Sequence, residues 1–158
     1  MSIAFAELET ATQNEVYLPR KKPTSTAVMH CLVVAEQAER REFFAEAARA
    51  AGWEVIACDD ANSANHAAHR YRHALAIVDL DGLESNAVSR FRDLAEQLSL
   101  SANSLLMVCG TDGNTVEETW ARQLGVWLYL SGVDSTCDIA SLCGDARQVV
   151  QKLNRQAA

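Results

Sequence analysis

At 158 residues, 49% of them hydrophobic and 22% charged, the chain has the make-up of one globular domain with a proper core. Its net charge of −7 sits wholly in the body, because Glu7, Glu9 and Glu15 offset Arg20, Lys21 and Lys22 within residues 1–27. A body this acidic argues against direct nucleic-acid binding, which needs clustered Lys and Arg. No apolar run approaches the ~18–20 residues of a bilayer span, so no membrane role is expected. The amino terminus also lacks the pattern of a signal peptide, and the expected setting is the cytoplasm. The five cysteines agree with that setting. Cys31, Cys58 and Cys109 lie inside apolar runs, and Cys137 and Cys143 flank a more polar stretch. An odd count without any C-x-x-C argues against both a disulfide framework and a zinc knuckle.

Residues 1–27 read as a weakly ordered arm with one short helix near Ala4–Thr12, and residues 28–158 as the folded domain. His30–Ala35 is a short β-branched apolar run and predicts strand one. Ala38–Ala51 follows with Phe43, Phe44, Ala47, Ala48 and Ala51 at helical spacing, stopped by Gly52. Trp53–Cys58 predicts strand two, and Asp59, Asp60, Asn62 and Ser63 offer caps for a helix reaching about Tyr71. Ala74–Val78 predicts strand three, and Ser85–Leu98 a helix with Val88, Phe91, Leu94, Ala95 and Leu98 as its stripe. Leu105–Cys109 predicts strand four, with a loop over Gly110–Gly113. Val116–Leu124 predicts a helix stopped by Gly125, then Val126–Leu130 strand five. Cys137–Leu153 predicts the last helix, weakened at Gly144 by ~1 kcal/mol relative to Ala. Five strand–helix units in strict alternation imply one parallel sheet with helices on both faces and right-handed crossovers.

The most telling stretch is His73–Gly82, an apolar run that ends in Asp79, Asp81 and Gly82. In open parallel sheets, ligand chemistry lies just outside the carboxyl ends of the strands. A carboxylate at that point is aimed at a site, although a plain strand-end Asp that caps its loop is the blander reading.

From His30 to about residue 155 the order and spacing resemble the receiver domain of two-component response regulators. The resemblance implies a doubly wound, flavodoxin-like or CheY-like α/β fold of five parallel strands in the order 2-1-3-4-5, here with an N-terminal extension. It implies Asp79 as phosphoacceptor, and a Mg²⁺ site from Glu36, Asp79 and the backbone of Asp81. It further places Cys109 at the phosphoryl-contact position, with Thr111 close by, and Tyr129 at the switch aromatic, following Gly125 in a Gly-x-x-x-Tyr pattern. Several family features are missing. Ala35 stands where a second acidic residue is usual, Gly132-Val133 replaces a Lys-Pro pair, and no Pro follows the phosphoacceptor loop.

These losses carry weight. Mg²⁺ is usually held by one or two carboxylates with water and phosphate oxygens, so the depleted acidic pair leaves Mg²⁺ binding possible but weak. A unit charge ~4 Å from a phosphoryl oxygen contributes about 4 kcal/mol at an effective dielectric near 20, and the missing Lys removes it. The expected function is therefore a degenerate, or pseudo-, receiver that signals through protein–protein contact and is not an enzyme. Its contact face would be the last helix, strand five and the preceding helix, as the resemblance implies, and it could form a homodimer. Two alternatives stay open: a phosphorylatable receiver using Asp79 with Mg²⁺, and a small α/β cofactor binder or enzyme. With the Lys gone, the Asp79–Glu36–Asp81 cluster lacks a cation, and its carboxylates should repel and raise at least one pKa. An ammonium or guanidinium reaching that corner from elsewhere in the chain would remove this ground for inertness.

Other groupings read more plainly. His66, His69 and His73 stand at i, i+3 and i+7 but have no matching half-site, so an exposed helix face is preferred to a metal site. Gly110–Asn114 reads as a turn with an N-cap, with an anion cradle as the alternative. Arg20-Lys21-Lys22 beside Pro23 reads as a solvated linker.

Overall fold

The computed structural model describes residues 28–157, so the arm and its short helix lie outside the described residues. The chain runs β1 His30–Val34, α1 Ala38–Ala50, β2 Glu54–Cys58, α2 Ala61–Arg70, β3 His73–Asp79, α3 Ser85–Leu98, β4 Leu105–Gly110, α4 Thr115–Leu124, β5 Leu128–Ser131 and α5 Ile139–Ala157. All five strands pair in parallel in the order β2-β1-β3-β4-β5, as expected. Three boundaries move for local reasons. β5 starts two residues later than the apolar run Val126–Leu130, because Gly125 closes α4 at φ 85° and the Val126 N–H still bonds Ala121 O. β3 extends to Asp79, which pairs in register with Cys109 on β4. α5 starts at Ile139, where the Asp138 carboxylate caps the Ser141 N–H at 3.0 Å.

Strands send alternate side chains to opposite faces, and here that splits the core in two. Cys31, Val33, Leu75, Ile77, Met107 and Cys109 face α1 and α5, where they meet Phe44, Ala48, Ile139, Cys143 and Val150. Leu32, Val34, Ala76, Val78, Leu106 and Val108 face the other way, onto Ala64, Phe91, Leu94 and Ala95 of α2 and α3. Asp79 follows Leu75 and Ile77 at a spacing of two, so its side chain belongs to the α1/α5 face. Tyr129 packs with the opposite core, whereas its neighbours Leu128 and Leu130 pack with the first. This parity decides what each strand-end residue can touch.

Candidate functional site

Asp79 ends β3 with its side chain only 3% exposed. A carboxylate that buried needs partners, and an arginine from α1 supplies them. Arg40 Nε donates to Asp79 Oδ2 at 2.6 Å, and Arg40 Nη2 donates to Asp79 Oδ1 at 3.0 Å. Such a two-pronged pair uses the rigid fork of the guanidinium and is charge-assisted in both bonds. The remaining nitrogen, Nη1, donates to the Val133 carbonyl at 2.9 Å in the loop after β5. Arg40 Nη2 also lies 3.7 Å from Asp81 Oδ2, and the Asp81 N–H approaches Asp79 Oδ1 at 3.3 Å. One guanidinium thus joins α1, the end of β3 and the β5–α5 loop.

The expectation that this corner lacks a cation is therefore corrected. Arg40 lies in the first turn of α1, where side chains lean back toward the helix amino end and so over the carboxyl edge of the sheet. The face parity of Asp79 brings it to the same side. Burial pushes the Asp79 carboxyl above the ordinary carboxylate range, while the Arg40 hydrogen bonds and charge and the Asp81 N–H pull it back without cancelling the effect. Repulsion from Asp81, the cause anticipated, is the smallest contributor. Hydrogen bonding to Asp79 in turn raises the Arg40 guanidinium, which stays charged.

The other anticipated residues fare unequally. Glu36 is exposed, and its main-chain carbonyl accepts from Arg41 Nη1 at 3.1 Å. Among the described residues no group of three or more His, Cys, Asp or Glu is placed to hold a metal ion, so Glu36, Asp79 and Asp81 are not gathered as a Mg²⁺ set. With both Asp79 oxygens bonded to Arg40, the residues present do not fit that ion in this arrangement. His66 and His69 stay on α2 and His73 starts β3, so they form no metal site either. Asp81 takes part through its carboxylate and N–H. Cys109 lies beside Asp79 but is fully buried, and burial first, then the Asp79 charge, pushes its thiol well above its usual value. Its carbonyl accepts the Leu80 N–H at 2.7 Å, which latches the loop after β3 onto β4.

Tyr129 is not part of the Asp79 corner, because it lies on the opposite face of the sheet. Its hydroxyl donates to Glu117 Oε1 at 3.0 Å, and the Thr111 N–H donates to the same oxygen at 3.0 Å. Glu117 is buried on α4, and its own N–H is capped by Asn114 Oδ1 at 3.0 Å. Burial and the Glu117 bond push the Tyr129 phenol far above its usual value. Gly110 makes this possible, because any Cβ there would collide with the Tyr129 hydroxyl and the Glu117 carboxylate. The Gly110–Asn114 loop thus spends its Thr111 N–H on Glu117 rather than on an external anion. Arg40 and Glu117 are the two residues missed in the sequence. Glu117 was signalled by a charge on the Ala121–Leu124 stripe, whereas Arg40 had only its place one helical turn after Glu36.

With this geometry in view, comparisons with solved structures agree on the fold. A response regulator receiver protein from Pseudomonas putida is 26% identical over 69% of this chain and 90% of its own, with a TM-score of 0.57. The signal receiver domain of a putative LuxO repressor protein from Vibrio parahaemolyticus is 11% identical over 84% and 99%, with a TM-score of 0.67. A CheY-like receiver domain protein from Methanospirillum hungatei is 13% identical over 82% and 99%, with a TM-score of 0.64. The chain has the fold of CheY-like response regulator receiver domains. No family model matches it, and no curated protein does. No helix among the described residues is long and apolar enough to cross a membrane.

Proposed function

We propose that this protein is a receiver-like signalling module whose phosphoacceptor position is sealed by its own arginine. It works by protein–protein contact rather than by catalysis or phosphoryl acceptance. The observation that carries this reading is the two-pronged bond from Arg40 to both oxygens of Asp79. A carboxylate attacks phosphorus through a free oxygen lone pair, and here both oxygens sit behind charge-assisted donors on a buried side chain. The ground for inertness has changed: the corner holds a cation, and that cation occupies the nucleophile. Because the same guanidinium ties down Val133, the loops at the carboxyl edge are held in one arrangement. Partners, including a second copy of the chain, would then read a fixed surface of α4, β5 and α5. Val116 stands exposed there, and Arg92 lies 4.7 Å over the Trp120 ring. The five unpaired cysteines suit a reducing, cytoplasmic setting.

A second reading has one observation in its favour. The bond from Arg40 to Val133 puts a cation against the loop where receivers of the resembling family carry their Lys. Arg40 would then act as the counter-ion of a phosphoryl group on Asp79, with Mg²⁺ recruited only after the guanidinium swings away. Incubation with acetyl phosphate and Mg²⁺ followed by intact mass measurement separates the two. The sealed reading expects no phosphoryl adduct on the native protein under forcing conditions. An adduct that disappears in Asp79→Asn overturns it in favour of the second reading.

A further inference from the structure

The outer side of the Arg40 corner is a groove. Glu39, Glu42 and Glu46 follow one another along α1 at spacings of three and four, which places them on one helix edge, and all are exposed. With Asp134 and Ser135 of the β5–α5 loop they rim a cavity of about 630 Å³ that is also lined by Phe43 and Arg40. The cations nearby do not balance this rim. Arg40 is turned inward to Asp79, and Arg49 reaches only Glu42, at 3.4 Å. Among the described residues Glu39, Glu46 and Asp134 have no ion pair.

The chain itself carries the complementary charge. It enters the described fold at Val28, where Val28 lines a second cavity with Val150 and Asn154 of α5. α1 and α5 pack together on that face, so the crevice between them leads from Val28 toward the acidic groove. Arg20, Lys21 and Lys22 lie six to eight residues before Val28. An extended stretch of that length spans ~20–28 Å, and the 13-residue α1 is ~20 Å long, so the run can reach the rim. A tether this short raises the local concentration of the run to the order of millimolar, which lets individually weak exposed ion pairs add up.

We propose that the Arg20-Lys21-Lys22 run docks within its own chain into the acidic groove between α1 and the β5–α5 loop, covering the outside of the Arg40 corner. The proposal stands whether or not Asp79 is sealed. It is tested by zero-length carbodiimide cross-linking of the dilute full chain, mixed with an isotope-labelled copy and mapped by mass spectrometry. The chain suits the assay because Lys21, Lys22 and Lys152 are its only lysines, and Lys152 on α5 serves as an internal reference. The expected result is links from Lys21 or Lys22 to Glu39, Glu42, Glu46 or Asp134 of the same chain. They should fall several-fold at ~1 M salt, where the screening length shrinks to about 3 Å, and in the triple variant Glu39→Gln/Glu42→Gln/Glu46→Gln, while Lys152 links persist. Links between light and heavy chains would overturn the proposal in favour of a second copy. No Lys21 or Lys22 link, with an added peptide of the same basic sequence linking to the groove, would overturn it in favour of a partner segment. Equal linking to carboxylates outside the groove, or insensitivity to salt, would also overturn it.

Discussion

Replacing Arg40 by methionine isolates the guanidinium while keeping an apolar stem near Phe44, whose ring centroid lies 5.6 Å from Arg40 Cζ. The change removes both bonds to Asp79 and the bond to the Val133 carbonyl. Asp79 keeps one donor, the Asp81 N–H at 3.3 Å, in surroundings that leave it 3% exposed. Removing one partner of a fully buried pair costs about 3–5 kcal/mol. The Arg40 side chain is 20% exposed, so solvent already screens part of the attraction. The expected loss is about 2–3 kcal/mol near pH 8. It should shrink in acid. The Asp79 carboxyl already lies above its reference value of 3.8 through burial, and losing its counter-ion raises it further. A carboxyl raised in the folded state favours folding below its unfolded value, and that advantage is lost as pH climbs from there through the folded value. In acid Asp79 is neutral in either protein and needs no partner. Urea unfolding followed by circular dichroism at about pH 4 and pH 8 reads this directly, with the larger deficit expected at the higher pH. Arg40→Met/Asp79→Leu should recover most of the loss, because the stranded charge is gone. A deficit below about 0.5 kcal/mol near pH 8, the worth of an exposed pair, would refute the buried seal.

Gly110→Ala forces its Cβ into the Tyr129 hydroxyl and the Glu117 carboxylate, so a loss of about 3 kcal/mol is expected from overpacking and the broken hydrogen bond together. Combining it with Tyr129→Phe should hurt less than the sum of the two changes; strict additivity in urea melts would mean that Gly110 does not make room for the pair. Thiol titration with an aromatic disulfide should find Cys137 fast in the native protein. Cys31, Cys109 and Cys143 should stay silent until unfolding, because burial raises their thiols, that of Cys143 to about 12. A fast second thiol from this core trio would contradict the packing around α5.

Much of this protein is local in origin and could be read along the chain. The runs Cys31–Val34, Leu75–Val78 and Leu106–Cys109 are too short and too apolar for anything but buried strands. The stripes of α1, α3 and α5 repeat at helical spacing. Asp79 was placed for the same reason: a charge ending such a run must sit at the carboxyl edge of the sheet. The start of β5 was misplaced because Val126 is apolar like a strand residue, yet its N–H completes the end of α4.

What the chain order could not decide was which distant side chains meet. Arg40 lies 39 residues from Asp79 and looks, in sequence, like any solvated arginine at a helix start. It becomes a counter-ion only because α1 packs on the same sheet face as Leu75, Ile77 and Asp79. Glu117 finds Tyr129 only because β4 and β5 pair in a register that sets the ring over a residue without a side chain. Hydrophobic periodicity fixes elements one at a time, whereas the pairing of buried charges depends on the mutual placement of elements, which packing alone sets.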